Sequence, residues 1–499
     1  MSNRPLKVTK SKLFVRRLLA AIFSSSLLIP NFGSQPVQAQ VKEYCQLSST
    51  AVKEKDNLRV SALRGNPEAQ KRYQQILKQH AQEIKECRNR NWPQTQAIWL
   101  RLYPCDINPG LLDQIMDRIV NLGYNQVNLE VFYDGRVLLP AAANPTIWPS
   151  VIRTPGAEKV DLLANAIKKG RQRGLKVYAW MYTINFGYSY AERRDREGAI
   201  ARNGKGQTSL YVVDNGTHVF IDPYNSQAKR DYYQMVQEVL RRRPDGLLFD
   251  YVRYPRQAGS DSIATKVTDL WLFSSATQEA LFRRAQNNKG LDLIRRFLSK
   301  GYVTAADIAE VDQLYPQEGE ALWQGRTLSA AQKSLLNPID RQPLLQWDLW
   351  QLAVAHAMQG ILDFVALASY PAQQQGIPAG AVFFPEGNQT LGQGYDSRLQ
   401  PWDRFPSSLQ WHPMAYATCG NVSCIVAQIQ RVLSMAKPGT QVVPALAGKW
   451  GASISNRPSL EAQMQALRQF APQIKGVSHF AYSWQYPEND GDRKFCRNQ

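Results

Sequence analysis

Residues 242–256 read RRPDGLLFDYVRYPR. Pro244, Asp245 and Gly246 form a turn that launches a short apolar run, Leu247 to Phe249. A carboxylate, Asp250, stands where the run ends, and Tyr251, Arg253, Tyr254 and Pro255 follow at once. Side chains on a strand alternate, so Leu248 and Asp250 share one face while Leu247, Phe249 and Tyr251 share the other. An aspartate on the inner face at the C-terminal end of a buried strand is where an α/β barrel keeps its chemistry. The same residue could instead cap the next helix or pair with Arg253. The surrounding chain decides between these readings.

Outward from this stretch, strands and helices alternate from Gln96 on, the pattern of a parallel sheet. Strands are expected at Ala97–Tyr103, Gln126–Phe132, Leu175–Tyr182, Gly246 onward, Ala379–Phe384, Leu409–Tyr416, Gln441–Ala447 and Gly476–Trp484. Helices are expected at Leu111–Asn121, Val160–Arg173, Ser226–Arg241, Leu344–Ala368, Val422–Met435 and Leu460–Phe470. Eight such steps close a barrel, so the fold class is α/β, a (β/α)8 TIM barrel over residues 96–499. A charged, helical insertion, 257–340, follows strand four. Loops after strands sit on the active face of such a barrel, which makes this insertion a candidate lid or substrate wall. Residues 40–95 are polar with helical period and break at Gly65-Asn66-Pro67, a helical hairpin.

The N-terminus reads as an export signal spanning 1–39. Six cations (Arg4, Lys7, Lys10, Lys12, Arg16, Arg17) precede an apolar run from Leu18 to Pro30 and a small-residue cleavage site, Val37-Gln38-Ala39. The full chain carries a formal +19; without those six cations, +13 remains from Gln40 onward. That balance favours polyanionic surroundings such as an acidic cell-wall glycan. No zinc-finger or RNA-recognition spacing points to nucleic acid. No integral membrane segment is expected once the signal is removed. Six cysteines in an exported chain allow 15 connectivities. We expect Cys45–Cys87 to staple the hairpin, Cys105–Cys496 to join the ends of the first and last barrel strands, and Cys419–Cys424 to pinch a loop. The five histidines are dispersed without ligand spacing, so neither a metal nor a cofactor is expected.

Six segments occur in order along the barrel: GYNQVNLEVFYDG (123–135), GLKVYAWMY (174–182), IDPYNSQAKRDYY (221–233), DGLLFDYVRYP (245–255), AVFFPEG (381–387) and LQWHPMAYA (409–417). Together they resemble the family-10-type glycosyl hydrolase-like barrels of bacterial envelopes, a group that includes hydrolases acting on peptidoglycan glycan strands. The resemblance covers roughly residues 96–490. It implies a (β/α)8 fold and action on a glycan at an acidic site; the export signal sets the expected location outside the cytoplasm, with a cell-envelope polysaccharide as the expected substrate.

Glycosidic cleavage takes two carboxyls, one to protonate the leaving oxygen and one to attack or to activate water. The strand-end candidates are Asp250, Glu386 and Glu130, with Asp134 and Asp222 in adjoining loops. Asp250 is the first choice as nucleophile or base, held ionised by Tyr251, Arg253 or Tyr254. Glu386 follows strand five, as general acid or as part of an exposed turn. Glu130 shares its face with Asn128 and is an acid, a sugar-hydroxyl partner or an ion-pair partner for Arg101. Sugar rings stack on aromatics, which nominates Trp180 and Tyr182, Tyr482 and Trp484, and His412 with Tyr416; Asn185 is placed to read a hydroxyl, and Arg253 and Tyr254 to touch substrate. His412 also fits a satisfied core histidine. A glycan-binding barrel without turnover stands as the alternative to a hydrolase. A Schiff-base enzyme is disfavoured: Lys176 begins strand three, at the wrong end, and only Lys449 follows a strand.

Overall fold

The computed structural model describes residues 44–211, 217–329 and 337–497. The expected export signal, 1–39, lies outside the described residues. Eight parallel strands form a closed ring: β1 (Thr95–Leu100), β2 (Gln126–Tyr133), β3 (Lys176–Tyr182), β4 (Gly246–Asp250), β5 (Ala379–Phe383), β6 (Gln410–Ala415), β7 (Ala445–Ala447) and β8 (Gly476–Phe480). β1 closes the ring by pairing with both neighbours, Thr95 opposite Gly476 on β8 and Ala97 opposite Gln126 on β2. This is a (β/α)8 TIM barrel.

Helices cover the ring because each has one apolar face. In α3 (Leu111–Asn121), Leu112, Ile115, Met116, Ile119 and Val120 are buried at helical spacing. α1 (Ser49–Leu63) and α2 (Pro67–Arg90) form the N-terminal hairpin, and α4 (Leu162–Arg171) and α5 (Ser226–Leu240) follow β2 and β3. In the insertion, α6 (Ser275–Phe282), α7 (Asn288–Lys300) and α8 (Ala305–Leu314) precede a long return helix, α9 (Pro338–Gln374). α10 (Val422–Met435) and α11 (Leu460–Phe470) complete the outer layer.

α9 extends beyond the expected Leu344–Ala368 at both ends. Asn337 caps it and Pro338 occupies its first turn, where a missing N–H costs nothing. By length and composition α9 could cross a membrane, but 67% of that apolar stretch is buried inside the protein. The insertion is tied to α9 by Arg341–Asp312 (2.5 Å), and Lys289 of α7 pairs with the same Asp312 (2.9 Å). None of its described residues lines the cavity at the barrel mouth, which corrects the expectation of a lid. Its buried apolar side chains, among them Leu293, Ile294, Phe297, Ile308 and Val311, belong to the same core as those of α9.

The three disulfides are Cys45–Cys87, Cys105–Cys496 and Cys419–Cys424, the pairing expected from the sequence. The hairpin is further bound by one buried carboxylate, Asp117 on α3. It accepts from Arg59 of α1 (2.9 Å), Tyr73 of α2 (2.7 Å) and Arg173 after α4 (2.7 Å). Burial opposes its charge, while Arg173 and Lys55 hold it below the usual carboxylate range. Asp117→Asn would remove the one buried anion that Arg59, Tyr73 and Arg173 share, leaving the two guanidiniums to the half-exposed Asp56 and to Asp113. We expect a loss of roughly 3–5 kcal/mol in unfolding free energy, measured by urea denaturation.

Candidate active site

Closure of the ring aims the last inward side chains of the strands into one cavity of about 160 Å3. Its lining includes Trp99 from β1 and Arg101 just beyond it, Trp180 and Tyr182 from β3, and Asp250 from β4. Val382 and Phe384, Met414 and Tyr416, and Phe480 complete the wall from β5, β6 and β8. The i, i+2 spacing of these pairs is the strand period. Lower in the barrel the same parity stacks Leu248, Gly380 and His412; a Cβ at Gly380 would lie 2.8 Å from the His412 ring.

Asp250 is the single carboxylate among the described lining residues. It is 7% exposed. The indole N–H of Trp180 donates to Oδ2 at 3.0 Å, and the backbone N–H of Tyr251 donates to Oδ1 at 2.6 Å. Tyr251 sits at φ 53°, in the left-handed region, and that conformation accompanies its amide's hydrogen bond to the preceding side chain. Such a conformation in a bulky residue costs on the order of 1–3 kcal/mol and clusters at functional sites. Burial raises the Asp250 carboxyl above the ordinary aspartate range; the Tyr251 amide, Arg253 and Trp180 oppose that rise.

Arg253 is 8% exposed and lines the cavity. One of its N–H groups donates to the Tyr254 carbonyl at 2.9 Å, and the guanidinium lies 4.6 Å from the Tyr251 ring centroid. No carboxylate among the described residues pairs with it within 4.0 Å, although Asp250 and Tyr251 act on it electrostatically. Burial lowers its affinity for its proton. Tyr182 stands between two groups: its ring centroid is 4.2 Å from that of Tyr251, and it hydrogen-bonds Glu130. Asp134 and His218 lie at the rim, 3.8 Å apart, with the His218 ring 5.3 Å from Tyr251.

The other nominated residues fall elsewhere. Glu130 is fully buried and held by the Arg101 guanidinium through two oxygens, one at 2.9 Å; it is the ion-pair partner and does not line the cavity. Glu386 sits in the turn after β5 and accepts from Gln428 on α10, away from the lining. Tyr254 is buried with its hydroxyl toward the Ala357 carbonyl of α9. Asn185 accepts from the amides of Gly187 and Val219 and so braces a loop. His412 belongs to the lower core layer, where burial lowers its pKa to about 3 and keeps it neutral. Tyr482 and Trp484 are not on β8: the strand ends at Phe480, and residues 482–485 turn helical. Tyr482 bonds Asn489 and packs near Arg493, while Trp484 lies under Arg457. Asp222 accepts from Thr277 and ties the loop before α5 to the insertion. Neither Lys176 nor Lys449 lines the cavity.

Sequence reasoning missed Trp99, Phe384, Phe480 and His218. The first two carried a readable signal, because Trp99 precedes Arg101 by two and Phe384 follows Val382 by two. His218 carried none, since its place depends on a loop returning to the β3 end.

Residues 97–286 match the family described as glycosyl hydrolase-like 10. This is the family that the strand-end motifs resemble, and the matched span includes β1 to β4, Asp134, His218, Asp250 and Arg253. No curated protein matches the chain. Among solved structures, a hypothetical protein from Ruminiclostridium thermocellum is 16% identical, covering 32% of this chain and 77% of its own, with a TM-score of 0.24. The tandem GH20 catalytic modules of the pneumococcal exo-β-D-N-acetylglucosaminidase give 10%, 80% and 81%, with a TM-score of 0.40. The α-galactosidase from Lactobacillus brevis gives 12%, 84% and 43%, with a TM-score of 0.38. The barrel itself is established by its own strand pairings.

Within the glycosyl hydrolase-like 10 span, both oxygens of Asp250 face N–H donors, which recognise the ionised form. Burial outweighs them, so any step that needs the carboxylate is lost as pH falls through a pKa above the unperturbed value of about 3.9. Trp180→Phe removes one donor to the charged form. We expect the midpoint to rise by about one unit, read by NMR titration of the Asp250 carboxyl carbon.

Proposed function

We propose that the chain is an exported glycoside hydrolase acting on a cell-envelope polysaccharide, such as peptidoglycan glycan strands. The observation that carries this reading is Asp250, open to an aromatic-lined cavity at the barrel mouth and hydrogen-bonded only as an acceptor. An acceptor-only carboxylate suits a nucleophile or general base, not an acid, because both neighbours donate. Trp99, Trp180, Tyr182, Tyr416 and Phe480 offer ring faces for a pyranose. The cavity is small against the roughly 300–1,000 Å3 of typical ligand pockets. It suits one sugar unit at the reacting position, with the remaining chain lying across the rim.

A second group is needed for the leaving oxygen or for water. The Asp134–His218 pair beside Tyr251 supplies it in this reading; Glu130, locked to Arg101 outside the lining, and Glu386 take no part. The three disulfides fit an oxidising compartment, in keeping with export. Arg253 makes the substrate an acidic glycan: a buried guanidinium without its own carboxylate is satisfied by a sugar carboxylate, in a bidentate geometry.

One observation favours a second reading, a glycan-binding barrel without turnover: Asp250 has no carboxylate companion in the described lining. Reducing-end release from purified cell-wall glycan separates the two. We expect Asp250→Asn to fold normally and to lose roughly 10²- to 10⁴-fold in rate. Binding with no turnover by the unaltered protein would select the second reading. Arg253→Met should raise KM for the carboxylated glycan roughly tenfold or more, while a carboxyl-reduced glycan is cleaved with little change.

A further inference from the structure

A second cavity, of about 560 Å3, opens on the opposite face of the barrel, between α2 and the N-terminal ends of β1 to β3. Lys78, Lys85, Arg88, Arg171, Arg173 and Lys176 line it, and among the described residues no carboxylate does. Arg173 is neutralised by Asp117 and Asp113, and Arg171 pairs with Asp245. The other four are not balanced. Lys78, Lys85 and Lys176 make no ion pair with the described residues. Arg88 is buried and, among the described residues, donates to backbone carbonyls alone, those of Tyr44, Gly123 and Pro93. A concave wall holding four uncompensated positive charges focuses potential into the space it encloses.

The wall is also preorganised. Residues 78, 81, 82, 85, 88 and 89 recur at helical spacing, so one face of α2 forms one side. Cys87, beside Arg88, is disulfide-bonded to Cys45, and Ala81 packs against Gly174 of the barrel. Between the cations stand the amides of Asn89, Gln94 and Gln172. Amides donate and accept at once, which suits hydroxyl groups, whereas lysine and arginine suit carboxylates and phosphates. A flat lipid surface would not reach into a cleft of this shape.

We propose that this cleft is an anchoring site for a polyanionic polysaccharide, separate from the cavity at the barrel mouth. It holds an acidic chain by charge and by hydroxyl contacts, and takes no part in chemistry. Its occupancy does not depend on whether Asp250 is catalytic.

The test uses the chain carrying Asp250→Asn, so that turnover does not intervene, with polygalacturonate as the acidic probe and dextran as the neutral one. Titration calorimetry at low salt should show polygalacturonate binding that weakens with added salt, and no dextran binding at this affinity. The triple variant K78E/K85E/K176E, all exposed positions, should keep its melting temperature and lose at least tenfold in polygalacturonate affinity. A control triple at exposed lysines elsewhere, K205E/K266E/K494E, should lose less than threefold. Equal losses in both triples would reduce the effect to net charge and overturn the proposal, as would unchanged affinity in the first. Tighter binding to phosphatidylglycerol vesicles than to polygalacturonate, abolished by the first triple, would overturn the choice of a polysaccharide.

Discussion

Closing eight strands into a ring leaves the inward side chains nowhere else to go. The period of two along each strand and the parallel register between neighbours together deliver residues from the ends of β1, β3, β4, β5, β6 and β8 to the mouth. The site is a by-product of that closure. Asp250 needs no special loop to reach the cavity: it is the last residue of β4, two beyond Leu248, which packs in the layer below. The same parity places Trp180 beside it, because Tyr182 lies in register with Asp250 across the β3–β4 ladder.

This dependence explains what was legible. Three helices, Leu111–Asn121, Val422–Met435 and Leu460–Phe470, lie where their apolar spacing predicts. The barrel and the disulfide Cys105–Cys496 could be read together, because a ring makes the ends of its first and last strands neighbours. Asp250 was legible because a carboxylate ending an apolar strand has few structural uses. Glu130 looked much the same in sequence, and only geometry separates the two. Arg101, just past the end of the neighbouring strand β1, reaches across to one carboxylate, while N–H groups from Trp180 and Tyr251 reach the other.

The illegible parts share a cause, which is that long-range packing overrides local pattern. Residues 476–484 are apolar and aromatic enough to continue a strand. Yet Trp484 and Gln485 hydrogen-bond back to the Ala481 carbonyl, and the chain turns helical. Parity still held as far as Phe480, which takes the inward position expected of its neighbours two and four residues later. Tyr254 and Asn185 have side chains that suit substrate contact, but α9 and the loop at Val219 claim them first. The basic cleft was invisible for a different reason. Its cations come from residues 78–88 and 171–176, segments that meet only because the hairpin docks on the barrel floor.

The electrostatics of the upper cavity narrow what it can hold. Arg101 and Glu130 cancel, so the lining has one anion, Asp250, and one unmatched cation, Arg253. Burial works against both charges, raising the carboxyl of one and lowering the proton affinity of the other. A neutral ligand that fills the cavity displaces water and makes both penalties larger. A ligand bearing its own anion near Arg253 makes one of them smaller and leaves Asp250 as the group whose state must change. Electrostatic stabilisation by a preorganised site is greatest where charge develops, and the charge developing on a sugar ring during cleavage is positive. A carboxylate already desolvated, and held by two donors instead of a counter-cation, is the one group in this cavity that such a charge would stabilise.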